Sequence, residues 1–288
     1  MYFDPKCTLF PYPEETDKHY LVVKKDNGKT FDDKYPYVNK SKGFKFLQFL
    51  TRILIVLIVF PLDYIRLGLK VEGKENLKKH KDLLKKGMIT VSNHVHMWDY
   101  LSILNAFKPR RAHILSWQRN MQGENAGLIR IVGGIPIPEN NLRASIKFSR
   151  DTTKMLNEGG WLHIMPEGSM WEYYRPIRPF KKGAAYFAIK ADKPVVPLAF
   201  TYREPNKFRK KVFKQIACFT LHIGEPIFVN KQLDPSKQED DLMIRMHEAV
   251  CKLAGFKKGE NIYEPIFDNS KRIDYYTSTY GEGYKGSK

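Results

Sequence analysis

His94 and Asp99 stand in the segment Asn93-His94-Val95-His96-Met97-Trp98-Asp99, directly after the apolar run Ile89-Thr90-Val91-Ser92. On one regular helix, five steps of 100° would leave the two side chains about 140° apart. They can meet if His94 sits at a strand end and Asp99 in the first turn of the helix beyond. Open α/β sheets place their sites at that edge. A carboxylate bonded to one imidazole nitrogen fixes the tautomer and stabilises the imidazolium. The other nitrogen is then left to take a proton from a hydroxyl. No reactive serine or cysteine is needed when the substrate brings its own nucleophile.

A second constellation is Ile164-Met165-Pro166-Glu167-Gly168-Ser169, again at the end of an apolar run. Pro166-Glu167-Gly168 makes a sharp turn there. Gly168 permits close backbone approach or positive φ, and Glu167 offers a carboxylate to a pocket. Downstream, Lys181 and Lys182 precede Gly183-Ala184-Ala185 at a helix start, where backbone N–H groups and cations together suit a phosphate. Upstream, Gly133-Gly134-Ile135-Pro136-Ile137 is a glycine-led strand that would let substrate pass close to the backbone.

The pair His94-x-His96 raises the question of a metal. Dinuclear hydrolase clusters run His-x-His-x-Asp-His, whereas here Trp98 holds the aspartate's position and no histidine follows Asp99. The remaining histidines form no ligand spacing, so no metal site is expected. His96 reads instead as a pocket wall.

The elements around these residues fit an α/β class: a mixed, largely buried sheet flanked by helices, preceded by a membrane-associated helical segment. Strands are expected at Met88–Val91, His113–Leu115, Ile135–Ile137, Trp161–Met165, Val195–Tyr202 and Phe219–Ile223. Helices are expected at Trp98–Phe107, Leu142–Asn157 with a stop at Gly159-Gly160, Lys182–Lys190 and Asp240–Ala254. Four regions follow: a polar arm over 1–43, an apolar segment over 44–69, one domain over 70–256 and a tail over 257–288. Within the arm, Asp26-Asn27-Gly28 lies between two β-prone runs spanning His19–Phe31 and predicts a hairpin. In the apolar segment the charge-free window Ile53–Leu62 has ten residues. At 1.5 Å per residue that reaches roughly half of a ~30 Å hydrocarbon core, which favours an interfacial or re-entrant helix over a simple span.

Composition limits the partners. The 288 residues, 42% of them hydrophobic, suffice for one large core. Three separated cysteines, Cys7, Cys218 and Cys251, with no CxxC, argue against a disulfide framework and for a reducing setting. The N-terminus has no secretory pattern. A formal net charge of +18 favours anionic partners: lipid headgroups, phosphorylated small molecules or nucleic acid. A basic nucleic-acid-binding protein without catalytic activity is therefore the alternative. Its lysines are dispersed, however, and no nucleic-acid-binding module is visible, so no nucleic acid is expected. A Gly-x-Ser-x-Gly elbow is absent from the sequence, which argues against a serine hydrolase.

Taken in order, four blocks resemble the glycerolipid acyltransferase family, and lysophosphatidic acid acyltransferases in particular. They are Asn93, His94 and Asp99 for Asn-His-x4-Asp; Gly133 to Ile137 for Gly-x-Ile-x-Ile; Pro166, Glu167, Gly168 and Ser169 for Pro-Glu-Gly-Thr; and Val196, Pro197 and Leu198 for Val-Pro-aliphatic. The likeness covers roughly residues 85 to 203. It implies His94 and Asp99 as catalytic residues, with Asn93, Gly134, Pro166, Glu167, Gly168 and Ser169 around the substrate. It also implies acyl-CoA or acyl carrier protein as donor, a lysophospholipid as acceptor, and no metal or redox cofactor. The place of work would be the cytoplasmic face of the cell membrane, held monotopically or peripherally by membrane lipids. Two arginines that usually follow the second and third blocks are replaced by Pro138-Glu139 and Met170. Arg143, Arg175, Arg178, Lys181 and Lys182 are the candidates to grip phosphate in their stead.

Overall fold

The computed structural model describes residues 3–5, 26–257 and 260–261. Among the described residues seven strands form one sheet: β1 (Lys70–Glu72), β2 (Met88–Val91), β3 (His113–Trp117), β4 (Gly134–Ile137), β5 (Trp161–Ile164), β6 (Val195–Arg203) and β7 (Cys218–Ile223). Their order is β1-β7-β6-β2-β5-β3-β4, which puts β2 at the centre. All neighbours are parallel except β6 and β7. The sheet is therefore mixed, as expected. Every residue of β2, β5 and β7 is buried, because helices cover both faces.

Alternation along the strands divides the core in two. Ile89, Val91, Leu162, Ile164 and Val195 point to one side, against the helices Leu142–Asn157, Gly183–Ala191 and Pro235–Leu253. Met88, Trp161, Val196 and Leu198 point to the other, where the helix Asp99–Ala106 lies. Parallel strands share one C-terminal edge, so the loops after β2, β5 and β6 gather there. The helix Leu142–Asn157 has its expected bounds, with the Asn141 side chain accepting the Ala144 N–H at 3.0 Å. The closing helix begins earlier than expected, at Pro235, because Asp234 caps it and proline suits its first position. β1 and the short helices Gln118–Gln122, Ala126–Ile131 and Lys207–Phe213 were not foreseen; each is too short to show a period. In the hairpin expected around Asp26-Asn27-Gly28, the first run lies outside the described residues. Lys29, Thr30 and Phe31 belong to no strand. Most of the tail over 257–288 also lies outside them.

The apolar segment departs from its expected length. It is one continuous helix over Lys42–Arg66, 25 residues long and apolar enough to cross a membrane, with a π-helical stretch at Ile55–Val59. The charges at Lys45, Arg52 and Asp63 interrupt the apolar run without breaking the helix, because each has good or tolerable helix propensity. One face of this helix is fastened to the domain. Gln48 Nε2 donates to the Ile131 carbonyl at 3.0 Å, and Arg52 Nη2 to that of Arg110 at 3.3 Å. Asn105 Nδ2 donates to the Phe60 carbonyl at 3.3 Å and to Asp63 Oδ2 at 3.2 Å. The other face exposes Phe46, Phe49, Leu54, Leu57 and Ile58.

Candidate active site

Strand β2 ends at Val91, and the helix that returns from the edge begins at Asp99. This strand-to-helix reversal brings the two residues of the first constellation together: His94 Nδ1 lies 3.1 Å from Asp99 Oδ2. The same oxygen accepts the Val95 N–H at 2.7 Å and the His96 N–H at 2.9 Å. Asp99 is therefore fixed by the very loop it orients. Burial raises its carboxyl well above the usual range, and those two amides oppose the rise. The carboxylate is sealed from water while the His94 side chain keeps about a quarter of its surface, 24% against 1%. With Nδ1 committed to Asp99, Nε2 is the nitrogen left to meet a substrate. Burial, then the nearby Arg178 guanidinium, push the imidazole down to about 3 against a smaller opposing pull from Glu167. The resting ring is consequently neutral, the form a general base requires.

The second constellation arrives from β5, the neighbour of β2. Glu167 Oε2 accepts the His94 backbone N–H at 3.0 Å. The same oxygen takes Arg178 Nη2 at 2.7 Å, and Oε1 takes the Arg178 N–H at 2.9 Å. Arg178 in turn donates through Nη1 to Ser169 Oγ at 2.6 Å and through Nη2 to the Ser169 carbonyl, and its guanidinium lies over the Trp171 ring. The Trp171 N–H closes the circuit on the His94 carbonyl at 2.9 Å. Glu167 and Ser169 thus face the protein: they build the wall behind His94 and do not present free groups to a ligand. Pro166 accepts the Lys181 N–H at 2.8 Å through its carbonyl, tying the turn to the next segment. Gly168 has φ +82, and a Cβ there would come within 3.0 Å of the Lys181 side chain. Its own N–H is spent on the Met165 carbonyl at 3.1 Å.

Several expected ligand contacts resolve as internal ones. Asn93 is wholly buried; its Nδ2 donates to the Phe200 carbonyl at 3.0 Å and its Oδ1 accepts the Phe200 N–H at 2.8 Å. It clamps β6 to the loop, because a side-chain amide can copy a strand's donor–acceptor pair. Gly134 begins β4, three strands from β2 and at the end away from His94; a Cβ there would meet Ile129 at 2.6 Å. Its lack of a side chain serves helix packing. Lys182 pairs with Asp240 at 2.5 Å on the surface. Arg175 stacks over the Phe256 ring, 4.8 Å from its centroid. Arg178, another phosphate candidate, is the saturated buried guanidinium just described. Arg143 and Lys181 remain exposed.

Apart from His96, the other site neighbours carried no sequence signal. His96 Nδ1 accepts the Trp98 N–H at 3.1 Å while its ring abuts Tyr173 and Phe219, consistent with a pocket wall. Beneath the dyad, Thr90 Oγ1 bonds His163 Nδ1 at 2.8 Å. Glu172 is buried near Asp99; desolvation and then that neighbour raise its carboxyl to about 7. Arg66, at the end of the apolar helix, lies over the Trp98 ring.

Residues 68–201, which contain all four blocks, match the family model described as Acyltransferase. The matched segment is just under half of the chain, which is thus similar to acyltransferases over that stretch. An uncharacterized acyltransferase of Schizosaccharomyces pombe is 26% identical over 187 residues, covering 62% of this chain and 61% of that one. Human 1-acyl-sn-glycerol-3-phosphate acyltransferase beta is 28% identical over 142 residues, covering 48% and 50%. Among solved structures, the 1-acyl-sn-glycerophosphate (LPA) acyltransferase of Thermotoga maritima is 18% identical, with a TM-score of 0.46 over 75% of this chain and 85% of that one. The chain spans about half to three fifths of the length of the curated relatives it matches. The matched segment runs from the end of the apolar helix through most of β6, and so includes both halves of the site.

Proposed function

We propose that this protein is an acyltransferase that moves a fatty acyl group from acyl-CoA or acyl carrier protein onto the free hydroxyl of a lysophospholipid, 1-acyl-glycerol-3-phosphate foremost. The observation that carries the reading is the His94 Nδ1–Asp99 Oδ2 contact of 3.1 Å at the C-terminal end of the central strand. Held there, His94 Nε2 takes the hydroxyl proton as the oxygen attacks the thioester carbonyl. The tetrahedral intermediate then collapses, the C–S bond breaks, and His94 returns the proton to the departing thiolate. Asp99 stabilises the imidazolium formed between those two steps. Base, nucleophile and leaving group complete this sequence without a metal or redox cofactor.

The acceptor class is supported by the resemblance of the four blocks and by the named activity of the human relative. The net charge of +18 suits a phosphorylated acceptor and an anionic bilayer. The apolar helix would lie in the interface, since one side is fastened to the domain and the other is lined with Phe and Leu. The cytoplasmic face is the side proposed. The test is a panel of labelled acyl-CoA and acyl carrier protein donors against several lysophospholipids, with products read by mass spectrometry. His94→Ala is to abolish product while vesicle binding persists. Turnover at the parent rate in that variant would overturn the mechanism.

A further inference from the structure

The connection between β6 and β7 holds a surface that the proposed chemistry does not use. β6 is parallel to β2 and β7 is antiparallel to β6, so this connection emerges on the edge where His94 lies. It contains the helix Lys207–Phe213, which buries none of its residues. Phe208, Val212 and Phe213 are 62%, 54% and 41% exposed, and the two phenylalanine rings meet edge to face in the open, 5.8 Å apart. Lys207, Lys210, Lys211 and Lys214 surround them, all exposed; Lys210 pairs with Glu204 at 2.6 Å. A short helix with an apolar face set among lysines has the makeup of an element that rests in a lipid interface.

Its placement is not independent of the long apolar helix. Arg209 reaches across to the last carbonyls of that helix, donating through Nη1 to Ile65 at 2.8 Å and through Nη2 to Tyr64 at 3.0 Å. Those carbonyls have no partner within their own helix, so the guanidinium both caps it and joins the two elements. The Gln215 side-chain amide donates to the Arg66 carbonyl, and the Phe219 N–H to that of Leu67 at 3.0 Å. Exposed Leu62, Tyr64 and Ile65 thus continue towards Phe208 and Phe213 along one end of the molecule.

We propose that the helix Lys207–Phe213 is a second docking element for an anionic lipid bilayer. Phe208, Val212 and Phe213 enter the interface, and Lys207, Lys211 and Lys214 meet lipid phosphates. Together with the apolar helix it turns the His94 edge towards the membrane. The occupant follows from charge complementarity and from continuity with the apolar helix. The proposal rests on a lipid-directed reading of the site, but its test does not require turnover.

The full chain is to be partitioned onto vesicles of phosphatidylcholine alone and of phosphatidylcholine with phosphatidylglycerol. Lys207→Gln/Lys211→Gln/Lys214→Gln is expected to weaken binding to the anionic vesicles by roughly a hundredfold, the loss that follows when three lysines leave a charged surface, and to leave neutral vesicles unaffected. Phe208→Trp reads insertion directly: its added emission is to shift to the blue and be quenched by spin-labelled acyl chains. All substitutions are at exposed positions, and an unchanged thermal midpoint confirms folding. Unaltered anionic preference in the triple variant, or emission at position 208 indifferent to vesicles, would overturn the proposal. So would tighter, equally lysine-dependent binding to RNA. Normal docking without acyl transfer by the parent would count against the proposed function alone.

Discussion

Glu167 holds the main chain of His94 and makes no hydrogen bond to its ring: Oε2 receives the His94 N–H at 3.0 Å and the Arg178 guanidinium at 2.7 Å. Both partners of that ion pair are 1% exposed. Removing one leaves the other charged in a medium that cannot solvate it. Arg178→Met is expected to cost about 3–5 kcal/mol of stability by chemical denaturation. Adding Glu167→Gln to that variant should recover part of the loss; a second, additive loss would contradict the pairing.

Asp99 sets the tautomer that leaves Nε2 of His94 unprotonated. Asp99→Asn preserves the shape and removes the charge that balances the imidazolium. Its kcat is expected to fall by about 10²–10⁴-fold with KM little changed. Steady-state kinetics on a lysophospholipid acceptor would show this split.

The pH profile follows from the depressed histidine. In the proposed mechanism the working form of His94 is the neutral ring, and activity should disappear as pH falls through its folded pKa. With that value pushed down to about 3, a histidine-like limb near 6.5 should be missing from kcat/KM. The rate should hold from about pH 8 to about pH 5. A half-point near 6.5 would show that His94 is hydrated in solution.

Asn93→Ala separates a structural clamp from a ligand contact. It orphans the buried N–H and C=O of Phe200, a loss on the order of 2–4 kcal/mol. The acceptor KM of the protein that remains folded should match the parent. A large rise in KM at unchanged stability would return Asn93 to the pocket.

Glu172 adds a pH-dependent stability of unusual sign. Its folded carboxyl titrates near 7 against an ordinary 4.5, so between those values the native state holds more protons than the unfolded chain. Stability should therefore decline as pH rises through that window, by an amount on the order of 3 kcal/mol. In Glu172→Gln the decline should be reduced, which urea midpoints at the two ends of the window would show.

Periodicity and stop signals carried most of the fold. The apolar runs at Met88, Trp161 and Val195 were legible as buried strands because parallel sheets want unbroken hydrophobic sequence. β1, three residues long, offered nothing to count. The His94–Asp99 pair was legible because it follows an apolar strand run, where a strand-to-helix reversal can join residues at that spacing. The roles of Asn93, Glu167 and Arg178 were not. A buried polar residue that satisfies backbone and one that awaits a ligand have the same letter, and only their partners distinguish them. Likewise, the apolar helix was underestimated because charge was counted along the sequence, while Arg52 and Asp63 turn to the domain side.

The sheet ends on a strand of three residues at one side and on β4, four residues with Pro136 inside, at the other. A proline has no N–H to lend, and short edges offer few groups to an incoming strand. Copies of this chain crowded on a surface would find little template for growing a shared sheet. Such edges resist aggregation where apolar helices alone would invite it.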